Sequence, residues 1–392
     1  MPRRRTPAAR RPVVPSAVPN TVIAIPVRNE AERIEACLRA IDAQTGLAPG
    51  SLALVLFLNN CTDGTEAIVE ALRPSLSLPM RVSHVTYAQA HAGWARREAM
   101  NAAVDWIGAA SGGAILSTDA DSRVPPDWVL RNLAALRAGA DAVAGRIELD
   151  ADEAALLPPS LHERGRLEDA YSAVLTEIEA RIDPDPHDPW PCHRTTIGAT
   201  LAVTREAYVA VGGMPAIALG EDGAFVAALL RQGYHVRHAP EVVVTVSGRL
   251  VGRAPGGVAD TIRARCEKPE SLCDARLEAV PRAVFRYLCR RHLRRLHGEG
   301  RLEGTRRWAR FLKISETDAV RIAALPLPGL AVAEAERVSP RLVYRPLGPF
   351  ELPHHTRLAR LALVPIRALT RIANRRVTTP PPRPVAVGLE AP

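Results

Sequence analysis

Gly112-Gly113-Ala114-Ile115-Leu116-Ser117-Thr118-Asp119-Ala120-Asp121 is the stretch that decides the fold: a short apolar run that ends on two carboxylates. A buried parallel strand has no packing reason to finish on paired Asp. A cation waiting at its carboxyl end supplies one, and a divalent ion carrying a diphosphate is the commonest such cation. The flanking sequence sets this run in a regular alternation. Thr21–Pro26 reads as a strand, and Glu30–Ala43 as a helix on the spacing of Ile34, Cys37, Leu38 and Ile41. Leu52–Leu58 is a second buried strand, Thr65–Leu72 a helix, Arg81–Thr86 a third strand and Ala95–Ile107 a third helix. Ala114–Thr118 is then the fourth strand, and Asp127–Ala138 the helix after it. Strands separated by helices predict an α/β fold with a mainly parallel sheet wound by right-handed crossovers.

After Ala140 the pattern changes. Asp141–Leu149 reads as a strand, Leu161–Ile182 as an amphipathic helix, and the Pro-rich run Asp183–His193 as an irregular loop. Thr196–Val203 is strand-like, Arg205–Val211 a short helix and Gly212-Gly213 a break. A helix follows at Glu221–Gln232, with strands at Tyr234–Arg237 and Val242–Val246, and the chain beyond Asp260 is mostly helical. The expected organisation is a disordered Arg/Pro-rich tail over 1–19, an α/β domain over 20–260, a helical basic extension over 261–377 and a Pro-rich disordered tail over 378–392.

Charge follows the same division. The formal net charge is +9, but residues 261–392 hold 26 Lys/Arg against 12 Asp/Glu, so the rest is mildly acidic. Such an extension favours anionic partners: phosphates, an anionic membrane surface or nucleic acid. Nucleic acid is not expected, because the basic region lacks aromatic interleaving and any zinc or helix-turn-helix signature. Lys is nearly absent and Arg abundant, a bias that carries no functional weight. The six cysteines show no C-x-x-C spacing and read as reduced structural thiols of a cytoplasmic protein. No apolar run approaches the roughly 20 residues of a spanning helix, and the arginines near the N-terminus precede no apolar signal segment.

In an open α/β sheet, ligands bind outside the carboxyl ends of the strands. Three polar clusters stand at such ends: Pro26-Val27-Arg28-Asn29-Glu30, Asn59-Asn60-Cys61-Thr62-Asp63 and Asp119-Ala120-Asp121. They would line one crevice. Two other D-x-D pairs, Asp150/Asp152 and Asp183/Asp185, lie in loops, and neither follows a buried strand. A second acidic site, Gly220-Glu221-Asp222, opens a predicted helix. Asp and Glu suit a helix N-terminus on capping grounds alone.

Taken together, IPVRNE (25–30), FLNNCTDGT (57–65), STDAD (117–121), VGGM (211–214) and GED (220–222) resemble, in order and spacing, the family 2 glycosyltransferases of the GT-A fold. The resemblance covers roughly residues 20–250. It implies inverting transfer from a nucleotide-diphospho-sugar to an acceptor hydroxyl, with Mg2+ or Mn2+. By that likeness Asp121 holds the metal, and Asp119 touches the ribose or the metal's shell. Glu30, Asn60 and Arg96 lie around the nucleoside, and Pro26 and Arg28 of the first cluster are further candidate donor contacts. Asp222 is the base that removes the acceptor proton, with Glu221 beside it orienting the acceptor.

The chain departs from the family pattern in three places. Asn59-Asn60 stands where the family usually has Asp-Asp. The Gln-x-x-Arg-Trp motif of processive synthases is absent, which points to non-processive transfer. Many relatives place a metal-ligating His near Ser247, but here the chain continues into a Gly-rich loop in which Arg249 and Arg253 are candidate diphosphate contacts. His91, His193, His235 and His238 are the candidate substitutes for the missing ligand.

Phe285–His297 reads as a basic amphipathic helix, suited to an anionic membrane, to a lipid-diphosphate acceptor, or simply to packing on the α/β domain. The acceptor, a small molecule or a lipid-linked one, has no legible motif. The expected location is cytoplasmic, with peripheral contact at the inner membrane face in view. The alternatives are a sugar-phosphate nucleotidyltransferase, which would want a Gly-rich phosphate loop that IPVRNE lacks, and a non-catalytic nucleotide-sugar or membrane-surface binding module.

Overall fold

The structure is a computed structural model that describes residues 19–108, 112–253, 256–304 and 306–377. Apart from Pro19, the two tails expected to be disordered lie outside the described residues. The chain divides into two compact units, Met1–Leu157 with Arg194–Ala264, and Pro158–His193 with Arg265–Pro392.

The first unit is built on β1 (Thr21–Val27), α1 (Ile34–Asp42), β2 (Leu52–Asn59), α2 (Thr65–Leu72), β3 (Met80–Val85), α3 (Ala92–Ile107), β4 (Ala114–Ser117), α4 (Trp128–Arg137), β5 (Ala142–Leu149) and α5 (Ala151–Ala155). After α6 (Pro159–Ile182) of the second unit come β6 (Leu201–Thr204), α7 (Arg205–Ala210), α8 (Glu221–Arg231), β7 (Val236–Val246) and α9 (Val258–Glu267). The strands form one seven-stranded sheet in the order β3-β2-β1-β4-β6-β5-β7. β1 is parallel to β2 and β4, β2 to β3, and β5 to β7, while β6 runs antiparallel to both its neighbours. The expected mainly parallel α/β sheet is therefore present, with one reversed strand inside it.

The continuous apolar runs are explained by helices on both faces. Ile23, Ile25, Val27 of β1 and Leu54, Leu56, Leu58 of β2 pack with α1, α2 and α4, through Ile34, Leu38, Val69 and Trp128. The alternate residues, Val22, Ala24, Ala53 and Val55, pack with α3, α7 and α8, through Ala99, Met100, Tyr208 and Phe225.

Two strand expectations differ from the structure by more than one residue. The two strands expected at 234–237 and 242–246 are one strand, β7, which continues through Pro240. β7 stands at the sheet edge, where a missing N–H removes no ladder bond. The strand expected from Thr196 begins only at Leu201, after a 3-10 turn at Gly198–Thr200.

The second unit is helical: α6, α10 (Val280–Gly298), α11 (Arg307–Leu312), α12 (Glu316–Ala323), α13 (Pro328–Val338) and α14 (Leu352–Val377). α10, which contains the basic segment 285–297, contributes to two cores. Leu293 and Leu296 pack with Trp308, Ile322 and Val332, while Ala283 and Tyr287 pack with Tyr171, Ile178 and Ala359. Its arginines are mostly neutralised: Arg286 by Glu278 (2.9 Å), Arg290 by Glu179 (2.8 Å) and Glu336 (2.7 Å), and Arg294 by Asp183. Of the uses considered for this helix, packing accounts for its apolar face, which is largely consumed inside its own unit, and most of its arginines are paired with carboxylates instead of standing in water. Among the described residues no helix is long and apolar enough to cross a membrane.

Candidate active site

The site grows from the carboxyl end of β4. Arg96 falls on the buried face of α3, in series with Met100, Ala103 and Ile107, and is itself 5% exposed. Its guanidinium donates from Nη2 to Asp119 Oδ1 (2.7 Å), from Nη1 to Ser117 Oγ and Gly198 O (both 2.9 Å), and from Nε to Glu221 Oε1 (3.1 Å). Burial works against its charge, but Asp119 and Glu221 outweigh that and raise its pKa above the ordinary value. Position 198 has to be glycine, because a Cβ there would meet the guanidinium at 2.5 Å. The same residue's N–H donates to Asp222 Oδ2 (2.9 Å), and Gly223 N–H donates to Oδ1 (2.6 Å). One guanidinium and one glycine thus join the acidic end of β4 to the acidic start of α8. Arg96, expected near the nucleoside, has every donor nitrogen committed to this junction. Glu221, expected beside the acceptor, is buried against it.

A second arginine gathers the rest. Arg249 makes a bidentate pair with Glu30 (Nη1–Oε2 2.8 Å, Nη2–Oε1 2.6 Å), and its Nη2 stands 3.0 Å from Asp121 Oδ2. Burial and the neighbouring Asp119 push Asp121 up to about 6, with Arg249 pulling down and Glu30 adding to the rise. Behind it the buried Cys37 thiol donates to Asp119 O (3.5 Å); burial, then Asp121, hold its pKa far above the ordinary range, so it is no nucleophile. Asp121 also lines a cavity of about 250 Å3 with Arg33, Arg123 and Glu153. Asp222 does not line this cavity; its link to the site runs through Gly198 and Arg96.

Among the described residues no third His, Cys, Asp or Glu completes a metal-binding group of three. Ser247, where the family's histidine was missed, donates to Glu153 Oε2 (2.6 Å), and the next N–H does the same (2.7 Å). His91 caps α3 by accepting from Trp94 N–H, His235 and His238 belong to the β5–β7 side of the sheet, and His193 lies in the second unit. The residues that remain still suit a hard divalent ion. Asp119 and Asp121 offer only oxygen donors, and the buried hydroxyls of Thr118 and Ser122 flanking them have no hydrogen-bond partner.

At the ends of β1 and β2 the loops are tied to each other. Asn29 Oδ1 accepts from Thr62 N–H (2.8 Å), and Asp63 Oδ2 from Ala31 N–H (3.2 Å). Asn60, in the left-handed region at φ 48°, closes both ways on the backbone of Tyr87 (2.8 and 2.9 Å). Its amide is therefore used locally. Tyr87, not singled out in the sequence, is 41% exposed and lies over Trp94 with centroids 4.9 Å apart; Trp94 in turn meets Phe57 edge-on. Arg28 is exposed and Pro26 half-buried at this rim, while Arg253 Nε donates to Asn29 O (2.8 Å). Of the two expected diphosphate contacts, Arg249 stands at the carboxylates and Arg253 at the rim.

No curated protein matches the chain. Among solved structures, one neighbour is the mannosyltransferase PcManGT of Pyrobaculum calidifontis in complex with GDP-Man and Mn2+: 18% identity, 91% of this chain and 84% of that chain, TM-score 0.42. Another is TarS 1-349 of S. aureus in complex with UDP-GlcNAc: 14% identity, 91% of each chain, TM-score 0.45. A third is glucosyl-3-phosphoglycerate synthase of Mycobacterium tuberculosis with Mn2+, UDP and phosphoglyceric acid: 17% identity, 69% of this chain and 78% of that chain, TM-score 0.37. The identification rests instead on a family model, glycosyl transferase family 2, which matches residues 22–189 and so takes in β1 to β5 with the Asp119–Asp121 turn. Residues 22–189 are a glycosyl transferase family 2 domain, and the chain is a glycosyltransferase.

Proposed function

We propose that the chain transfers a sugar from a nucleotide-diphospho-sugar to an acceptor hydroxyl, non-processively and with inversion at the anomeric carbon. The observation that carries this reading is the junction at Arg96. One buried guanidinium touches Asp119 and Glu221, and Gly198 connects it to Asp222, so two acidic centres remote in sequence are neighbours.

Asp119 and Asp121 are the residues that would hold Mg2+ or Mn2+, which when bound neutralises charge developing on the departing diphosphate. The chain's own groups account for the other requirements. Asp222 is fixed by two backbone N–H groups, one on each oxygen, so each oxygen keeps a lone pair to accept the hydroxyl proton. Attack from the face opposite the diphosphate then inverts the carbon in one displacement. Glu221 acts through Arg96, holding the junction rather than the acceptor. Arg249 and Arg253 belong to the diphosphate side, and Arg249 is pre-placed there by Glu30. The exposed face of Tyr87, whose backbone is held by Asn60, suits stacking by the nucleobase, and Arg28 and Pro26 belong to the end of β1.

The test is a scan of nucleotide sugars for metal-dependent binding and slow hydrolysis, in wild type and Asp121→Ala. Expected is binding that needs the metal and collapses in the variant. Donor binding indifferent to both would remove the metal assignment. Binding with release of pyrophosphate from a nucleoside triphosphate would instead favour the nucleotidyltransferase reading.

A further inference from the structure

The second unit holds an open cavity of about 530 Å3 that the transfer chemistry above does not use. Arg282, Lys313, Arg341 and Arg345 line it with Phe285, and no Asp or Glu is among its described lining residues. Elsewhere in this unit arginines are commonly met by carboxylates, as Arg164 is by Glu168 and Arg367 by Glu177. At the cavity only Arg282 has such a partner, Glu278 at 3.5 Å; among the described residues Lys313, Arg341 and Arg345 have none.

These cations are held by a frame. Ser339, 1% exposed, donates to Leu312 O (2.7 Å) and accepts from Arg341 N–H (3.3 Å), which ties the residue before Lys313 to the backbone of Arg341. Glu278, also 1% exposed, accepts from Arg345 N–H (2.9 Å) while pairing with Arg282. Arg341 lies over the Phe311 ring at 5.1 Å, and Phe311 packs on Phe285 with centroids 5.7 Å apart. Lys313 sits at φ 56°, in the left-handed region that favours glycine. That conformation ends α11, with the Lys313 N–H closing on Arg310 O (3.2 Å), and so fixes where the side chain leaves the backbone.

We propose that this cavity binds the phosphoryl end of a phosphorylated organic molecule, with the ligand's apolar part on Phe285. Three cations without counter-charge around one opening match a multiply charged anion, and guanidinium forks suit phosphoryl oxygens. The volume leaves room beyond one phosphate group for an organic body.

Lys313 supplies a local readout. The full-length protein, in EDTA to silence metal-dependent donor binding, is acetylated with an amine-selective reagent, and modification of Lys313 and of the exposed Lys268 is followed by peptide mass spectrometry. Inorganic pyrophosphate at about ten times its dissociation constant should slow acetylation of Lys313 about tenfold and leave Lys268 unchanged. Geranyl diphosphate should protect at a lower concentration than pyrophosphate. Protection should vanish in the Arg341→Gln/Arg345→Gln double variant and persist in Arg357→Gln, which lies on α14 outside the cavity. Two outcomes overturn the proposal: no protection of wild type by either anion, or protection only by phosphatidylglycerol vesicles, which would report surface charge rather than a cavity.

Discussion

Both units bury arginines against carboxylates, and the balance of charge separates the two networks. In the helical unit, Glu179, Glu278 and Glu336 meet Arg276, Arg282, Arg286 and Arg290, and each carboxylate touches more than one cation. That network is closed and ties α6, α10 and α13 together. In the sheet unit, Glu30, Asp119, Asp121, Glu221 and Asp222 share only Arg96 and Arg249. Negative charge is left over at the end of β4, which is the condition that recruits a cation. A buried ion pair therefore says little about function by itself. An unbalanced one, opening to solvent beside unpartnered hydroxyls, says a good deal.

The sharpest way to break this contrast is to remove one carboxylate from each network. Asp222→Asn should lower transfer by about 100- to 10,000-fold while donor affinity stays at the wild-type value, read by initial rates and by calorimetry. Retained turnover would remove Asp222 as the base. In the closed network, Glu278→Ala leaves Arg286, with its side chain 3% exposed, charged and short of a partner. That should cost about 3–5 kcal/mol of stability, seen as a lower Tm, with turnover per folded molecule unchanged. If the two substitutions swapped their effects, the distinction drawn from charge balance would be wrong.

Much of the sheet unit was legible in sequence because its strands are apolar on both faces and its helices carry clear spacing. The α2 expectation at 65–72 matches the structure to the residue, and the ends of β1, β2 and β4 fall within one residue of expectation. β7 was divided in two because Pro240 reads as a breaker, and only its place at the sheet edge makes Pro tolerable. The acidic residues were visible as motifs, but their partners were not. That Arg96 clamps Asp119 to Glu221 depends on a close approach at Gly198, and such contacts leave no local pattern. Asn60 was expected around the nucleoside, and its amide is spent on the Tyr87 backbone, a bond between two loops that only the folded sheet brings together. The arginines of α10 looked like a surface for anions for a related reason: Arg290 finds its glutamates on other helices, Glu179 on α6 and Glu336 on α13.

Proton competition at Asp121 tests the open network more gently. Its carboxyl is raised from an ordinary value of 3.8 to about 6, mainly by burial and by Asp119. A raised carboxyl binds its proton more tightly in the folded chain, so ionising it costs stability as pH climbs through about 6, and acid relieves that cost. A divalent ion must displace the same proton. Metal affinity should then be flat above about pH 6 and fall by about tenfold per pH unit below it, measured by Mn2+ titration. Affinity that stays flat down to pH 4.5 would place the metal away from Asp121.

The smallest expected effect comes from the look-alike pair. Asp150 Oδ1 accepts from Asp152 N–H and Glu153 N–H (both 3.1 Å), capping α5, and its other oxygen pairs with Arg123. Asp150 directly follows β5 and lines the same cavity as Asp121, but both its oxygens are engaged in these bonds, so Asp150→Ala should lower the Tm slightly and leave Mn2+ affinity unchanged, whereas Asp121→Ala abolishes it. The comparison is demanding because Glu153, in the helix that Asp150 caps, also holds Ser247 and Gly248 at the start of the loop that carries Arg249. If loosening the cap weakens metal binding, the effect comes either from Asp150 itself, which lines the Asp121 cavity, or through Glu153 to the position of Arg249, and the second route is testable. Adding Glu153→Gln to Asp150→Ala would then produce no further loss, and the boundary of the open network would have to be redrawn to include α5.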